Sequence, residues 1–367
     1  MAPRQTKSLR GLNLRKSTSA TPMASTQEQE DTKPILTAVV APDLHPPYQV
    51  DPDGDIILFT PKTPLIDISK GNVPGNYARF QVSSKHLALA SAYFKRLLKD
   101  CWAEGSALSK KGSVEIPVND CKPDILLVLL NLIHGRSRQV PLKLTLPQLS
   151  DIAVATDFFQ CNEVVEVFAG IWIQALESLV PSSFSQDMKI WMMISCVFRS
   201  HSVIFQKTTK IAIQQATGPF DTSNLPIPNS IKDKIDQCRQ KGIEKFELMI
   251  KEHISRLLKG PAQCSESCDA AHLGLTLGKL IRRKISCLID TAHLFESGPA
   301  LSVTVDIRES SPAIIYTMIK QWETISDCHR SGLCSNKMNP FGGDGKRRAD
   351  RIYCSLNGLT WDAKAKT

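Results

Sequence analysis

The spacing of apolar positions changes along this chain, and each change marks an element. Ile56-Ile57-Leu58-Phe59 is a short apolar run with Asp53-Gly54 before it and Pro61 after it, which predicts a strand. Residues 61 to 77 hold three prolines and two glycines and read as a loop. From Val82 to Leu98, the residues Leu87, Ala90, Phe94, Leu97 and Leu98 recur at helical spacing, predicting one helix or a pair of short ones. Val114-Glu115-Ile116 alternates like a half-buried strand, and Pro117 to Asp120 turns the chain out of it. In the next stretch, opened by Lys122-Pro123-Asp124, only Asn131 is polar between Ile125 and Ile133. Proline is tolerated in a first helical turn, where its missing N–H has no partner, and Gly135 suits the left-handed residue past a helix end. The stretch therefore predicts a helix buried on nearly all sides.

Another helix starts with Pro147 behind Thr145 and places Leu149, Ile152 and Ala153 inward; the one after it carries Val164, Phe168, Ile171, Trp172, Ala175 and Leu179 as an apolar stripe and stops at Pro181. Beyond Pro181 the pattern is mostly helical. Met188 to Phe205 is strongly apolar, Gly218 to Pro228 is a Pro-rich linker, and Ile231 to Leu258 predicts a long helix. On that helix Ile231, Ile235 and Cys238 form one stripe, while Ile243, Phe246, Ile250, Ile254 and Leu257 form a second, offset near Gly242. Packing on its own domain is the expected use of these stripes; seating a partner helix is the other. His272 to Phe295 and Ala313 to Ile325 also read as helical, and the last 30 or so residues, with Gly342-Gly343 and Lys346-Arg347-Arg348, as loose. Residues 1–50 lack apolar periodicity and are rich in Ser, Thr, Gln and Pro, so they read as a disordered tail. The expected organisation is thus a tail (1–50), a compact α+β domain (51–179), a helical region (180–330) and a loose end (331–367).

Composition refines this picture. With 42% hydrophobic and 22% charged residues the 367-residue chain has enough apolar material for a real core, and its longest apolar runs are far too short for a membrane span. Eleven cysteines, an odd number spread from Cys101 to Cys354 with no apolar signal stretch ahead of them, suit reduced thiols in the nucleus or cytoplasm. The net charge of +9 is unevenly placed: 13 basic and 12 acidic residues lie between Asp55 and Ser178, but 26 and 18 from Leu179 to Thr367. The first 27 residues hold five basic and no acidic residues, a pattern shared by mitochondrial presequences and, more commonly, by basic flexible tails. The C-terminal surplus suits acidic partners or nucleic acid; with 6% aromatics and no reading motif, a solvated surface is the simpler account.

The order strand, loop, helix pair, strand, buried helix, two helices resembles the BTB/POZ fold, a small sheet capped by a helix cluster. Several segments carry the resemblance: Asp55-Ile56-Ile57-Leu58, the opening strand with its leading aspartate; Phe80-Gln81-Val82 followed by Leu87-Ala88 and Ser91-Ala92-Tyr93-Phe94; Ile116-Pro117-Val118; Leu129-Leu130-Asn131-Leu132-Ile133; and Ala153 with Ala155-Thr156-Asp157 and Phe158-Phe159-Gln160-Cys161. The chain departs from the family at Ser83, where histidine is usual, at Ile133-His134-Gly135, where Tyr-Thr-Gly is usual, and in a longer loop after the first strand. These departures, with Trp102-Ala103-Glu104-Gly105 and the Ile133 to Arg136 segment, are similar to divergent BTB proteins common in filamentous fungi. The resemblance implies an α+β domain that binds protein partners, associates with a second copy through its first-helix region, and serves as an adaptor, including for cullin-type ubiquitin ligase scaffolds. Leu87, Ala90, Ser91 and Phe94 are the residues expected at the self-association surface, with Ser91 also suited to cap the helix that Phe94 anchors.

No constellation for catalysis emerges. His-Glu-x-x-His, Gly-x-Ser-x-Gly and a dinucleotide fingerprint are absent, and Gly274 to Gly278-Lys279 has one spacer too few for a phosphate loop and Leu280 where Ser or Thr should stand. The chain is therefore read as a non-enzyme without cofactor. Cys264, Cys268, His272 and Cys287, with Cys328, His329 and Cys334 further on, offer thiolate and imidazole ligands suited to zinc, but the usual two-residue spacer is missing and apolar cysteines often fill cores, so no metal is assigned. His134 beside Gly135 reads as a polar helix end whose imidazole meets the last carbonyls. The competing functional reading is a chromatin or nucleic-acid-associated regulator acting through the basic C-terminal half, with Lys346-Arg347-Arg348 as an import signal.

Overall fold

The computed structural model describes residues 46–61, 77–119, 121–199, 202–259, 266–282, 286–289, 303–307, 310–321 and 342–360. They form two compact units, one from the described residues up to Leu144 with Ala155–Phe168 and the other from Thr145–Val154 with the described residues from Ala169 onward. Residues 1–45 of the tail read as disordered and presequence-like, most of the loop after the first strand, and Cys264, Cys328, His329 and Cys334 lie outside the described residues.

In the first unit a four-stranded sheet runs in the order β1 (Tyr48–Gln49), β3 (Tyr77–Val82), β2 (Ile56–Pro61), β4 (Val114–Pro117). β2 is antiparallel to β3, with Ile56 opposite Val82, and parallel to β4, with Ile56 opposite Val114. Its residues alternate as a half-buried strand must, sending Ile56, Leu58 and Thr60 inward. Thr60 is tolerated there because its hydroxyl donates to Cys121 O at 2.6 Å. The expected helix pair is present as α1 (Ser84–Ala90) and α2 (Ala92–Leu97), but Val82 closes β3 rather than opening a helix. α4 (Pro123–Ile133) begins on Pro123 and ends at Gly135 with φ 69°; Ile125, Leu126, Leu129, Leu130, Leu132 and Ile133 are all buried, as its unbroken apolar run requires.

Two elements of this unit escaped the sequence pattern. β1 lies inside the segment read as unstructured; it is only two residues long and pairs in parallel with β3. Between α2 and β4, α3 (Ala103–Lys111) has little apolar periodicity and is fixed by position instead. A Cβ on Gly105 would stand 2.1 Å from Lys99 O, so the start of α3 rests directly on the backbone leaving α2, and only glycine fits.

α5 (Leu146–Phe159) and α6 (Asn162–Leu176) divide between the two units. Leu149, Ile152 and Ala153 are buried as expected. On α6 the buried positions are Val165, Ala169, Trp172 and Ile173, whereas Ile171, Ala175 and Leu179 are exposed. The stripe is therefore rotated by about one position from the expected one, an ambiguity that arises when apolar residues surround a helix on most sides.

The second unit contains α7 (Gln186–Phe198), α8 (Ser202–Gln215), α9 (Asn229–Lys259), α10 (Glu266–Arg282), the antiparallel pair β5 (Ser286–Ile289) and β6 (Val303–Asp306), α11 (Pro312–Gln321) and α12 (Gly342–Ser355). α9 touches α8, α10, β6, α11 and α12. Its second stripe, Ile243, Phe246, Ile250 and Ile254, packs with Leu280, Val305, Ile315, Met318, Ala349 and Ile352 into one core. Three expectations are corrected. The helix expected over 272–295 ends at Arg282 and a strand follows; the loose C-terminus contains α12, whose Ala349 and Ile352 enter the core; and the Pro-rich linker buries Phe220 and Ile227. The phosphate-loop decoy lies within α10, with Leu280 in the core.

Leu87 and Leu89 make a direct test, being two residues apart on opposite faces of α1. Leu87→Ala removes a fully buried side chain and should cost about 2–5 kcal/mol in urea unfolding. Leu89→Ala, at a position 88% exposed, should stay within about 0.5 kcal/mol. Equal costs would contradict this orientation of α1.

Candidate interaction surface

α1 has seven residues and α2 six, too short to persist alone, so both depend on anchors from elsewhere. The first anchor is Asp55, the leading aspartate of β2: Oδ1 accepts from Ser84 N–H at 2.7 Å and Oδ2 from the Ser84 hydroxyl at 2.6 Å. Ser83, the residue at the cap position, makes no side-chain cap bond, so a carboxylate from a strand satisfies the first turn and its helix-end charge.

The second anchor is His134. Nδ1 lies 2.8 Å from Leu130 O and must donate, because a carbonyl only accepts; Nε2 lies 3.0 Å from Ser83 N–H and must accept. The neutral imidazole is thus fixed in one tautomer between the end of α4 and the start of α1. Burial lowers its pKa from the usual value, opposed by the Leu130 bond and by Asp51 and reinforced by His86 and Arg136. Arg136 completes the segment: Nη1 donates to Gln49 O at 3.0 Å and Val50 O at 3.1 Å, and the guanidinium lies 5.8 Å from the Tyr48 ring centre, which holds β1 in place. The departures at Ser83 and at Ile133 to Arg136 therefore form one bonded group.

The break between α1 and α2 is the third anchor. Ser91 Oγ donates to Phe159 O at 2.5 Å and accepts from Phe94 N–H at 3.1 Å, capping α2 as expected. Ala92 N–H reaches Gln160 O at 3.3 Å, and Gln160 adopts φ 52° to present it. Phe94 stacks on Phe159 at 5.4 Å, with Tyr93 and Phe158 closing the cluster. Burial pushes the nearby Cys161 thiol up to about 12, which leaves it an inert packing group.

The four residues expected at the surface hold this region together from inside. Leu87 is 0% exposed and Ser91 and Phe94 are 1% exposed, so they support the helix pair and do not face outward; Ala90 is half-buried. The outer face of α1 consists of Lys85, His86 and Leu89, flanked by half-buried Ala88 and Ala90. The signal for Leu89 was its phase: a leucine two positions from an inward leucine on a helix points away from the core.

Asp51, His86 and His134 place one potential ligand atom each within 4.8 Å of one another, and the His86 and His134 rings lie 5.0 Å apart. They do not form an open metal site. Both His134 nitrogens are already bonded, and freeing Nε2 would release the Ser83 amide that starts α1. Of the zinc candidates, His272 is buried on α10 and Cys287 falls in β5. Lys346, Arg347 and Arg348 lie in α12, where Arg348 pairs with Glu252. Among the described residues no helix is long and apolar enough to cross a membrane.

A small mixed sheet carrying a braced helix pair, with an apolar side chain offered outward, defines a protein-interaction module. The chain carries a BTB/POZ domain: the family model for that domain matches residues 73–175. The match begins beyond β2, yet β2 pairs with β3 along its whole length and supplies Asp55. No curated protein matches the chain.

The linkage of His134 has a definite sign. Its folded pKa lies below the unfolded value of about 6.5, so the unfolded chain takes the proton first as pH falls. Stability from this group is complete above about pH 6.5 and is lost as pH falls from there through the depressed folded value. Urea unfolding should therefore show lower stability at acid pH, with a smaller loss in His134→Gln. Histidine NMR should show an imidazole titrating below the usual range that vanishes in the variant; a His134 titrating normally would contradict the assigned bonds.

Proposed function

We propose that the chain is a self-associating adaptor of the nucleus or cytoplasm, in which the outer face of α1 meets a second copy and other surfaces recruit a protein partner. The observation that supports this is Leu89, 88% exposed on a helix anchored at both ends. A large apolar side chain on a braced helix loses little conformational entropy on docking, which favours its use in an interface. His86 and Lys85 beside it supply a polar rim around the apolar centre. Recruitment to a cullin-type ubiquitin ligase scaffold is the form of adaptor activity proposed here. The basic C-terminal half is the weaker basis for a nucleic-acid role, since Arg348 of its Lys-Arg-Arg run already has a carboxylate partner.

Light scattering across a concentration series tests self-association. The wild-type chain should form a dimer that Leu89→Asp weakens by at least about tenfold, the effect of roughly 1.4 kcal/mol, with an unchanged unfolding curve. A strict monomer at high concentration, or a variant that dimerises like wild type, would overturn the α1 interface. Affinity purification from cells tests recruitment, and recovery of partners without any cullin would remove the ligase assignment.

A further inference from the structure

The second unit contains a buried cation that lacks hydrogen-bond acceptors. Arg239 on α9 is 5% exposed, and among the described residues it pairs with Asp236, whose Oδ1 stands 3.9 Å from Nε. That distance makes an ion pair but no hydrogen bond. Nε and Nη1 are sealed from solvent without an acceptor, and Nη2 is the guanidinium nitrogen left open. Asp236 cannot simply turn toward the arginine, because the same Oδ1 already accepts from Phe220 N–H at 2.8 Å.

A second cation in the same corner shows the contrast. Lys189 Nζ donates to Ser223 Oγ at 2.8 Å, pairs with Asp221 Oδ2 at 3.6 Å and lies 6.0 Å from the Phe220 ring centre. It has its partners. A guanidinium carries a positive charge and five N–H donors, so this buried arrangement is costly unless an acceptor arrives.

We propose that Arg239 receives an oxyanion, the carboxylate of an acidic side chain on a protein partner. A guanidinium is matched in shape and charge by a carboxylate oxygen pair, and the open Nη2 gives the first point of contact. A monoanion suits the site better than a phosphate dianion, because the Asp236 carboxylate stands close by and repels the dianion more strongly. This site lies in the other unit from the α1 face and does not depend on the self-association reading.

The test uses the full chain labelled with 15N-arginine, observing the Arg239 Nε–H resonance, identified by its loss in Arg239→Met. Sodium acetate, titrated against a sodium chloride control of equal ionic strength, should shift that resonance saturably in the millimolar range. Asp236→Asn keeps an acceptor for Phe220 N–H but removes the competing charge, and should tighten the acetate response several-fold. No shift beyond the chloride control would overturn the proposal, as would a response unchanged by Asp236→Asn. A response to sodium phosphate without one to acetate would overturn the carboxylate assignment. Since acetate does not bridge two copies, failure here leaves the light-scattering test of α1 unaffected.

Discussion

Two helices of six and seven residues cannot hold their shape from local hydrogen bonds alone, because each loses most of its ladder to its own ends. What holds them is the set of polar groups brought to their termini from distant parts of the chain: the Asp55 carboxylate and His134 imidazole at the start of α1, and the Phe159 and Gln160 carbonyls at the junction with α2. Apolar burial of Leu87 and Phe94 then presses the pair onto the unit, and the bonds decide which way each helix is rotated. Because rotation is fixed, Leu89 is directed outward in a single orientation. Specificity in this region is therefore a property of helix ends, and the apolar contacts supply the bulk of the stabilisation.

The same division explains what the sequence revealed. β2, β4 and α4 were legible because bounded apolar runs leave few alternatives, and the cap at Ser91 was legible because serine followed by an apolar helical face is a local signal. β1 was not, since two residues carry no period and its place is set by Arg136, 87 positions away from Gln49. α12 was hidden for a related reason: Ala349, Ile352 and Tyr353 mark its inner face sparsely, among glycines and basic residues that read as a loop. β5 reads as helix in the sequence because a run as short as Cys287-Leu288-Ile289 suits either period.

The interaction face was half legible. The family resemblance picked out Leu87, Ala90, Ser91 and Phe94 as a set, but neither it nor helical spacing could say which side of the helix faced the protein's own core. The anchors decide that: Asp55 and His134 stand out in the sequence as a leading aspartate and a polar helix end, but their bonds to Ser84 and Ser83 span 29 and 51 positions and leave no local mark. Arg239 was equally silent in sequence, one arginine on a charged helix, and only its burial sets it apart from the lysines around it.

The far end of the described chain lies against much earlier residues. Leu356 O accepts from Gln214 Nε2 across 142 positions, Leu359 N–H donates to Thr209 Oγ1 across 150, and Gly358 passes so near Gln206 O that a Cβ would stand 1.8 Å away. During synthesis, α8 must therefore wait with those groups uncovered until residues 356–359 have left the ribosome. Closure of the second unit is a late, non-local event, and slow assembly exposed to chaperones and proteases is its cost.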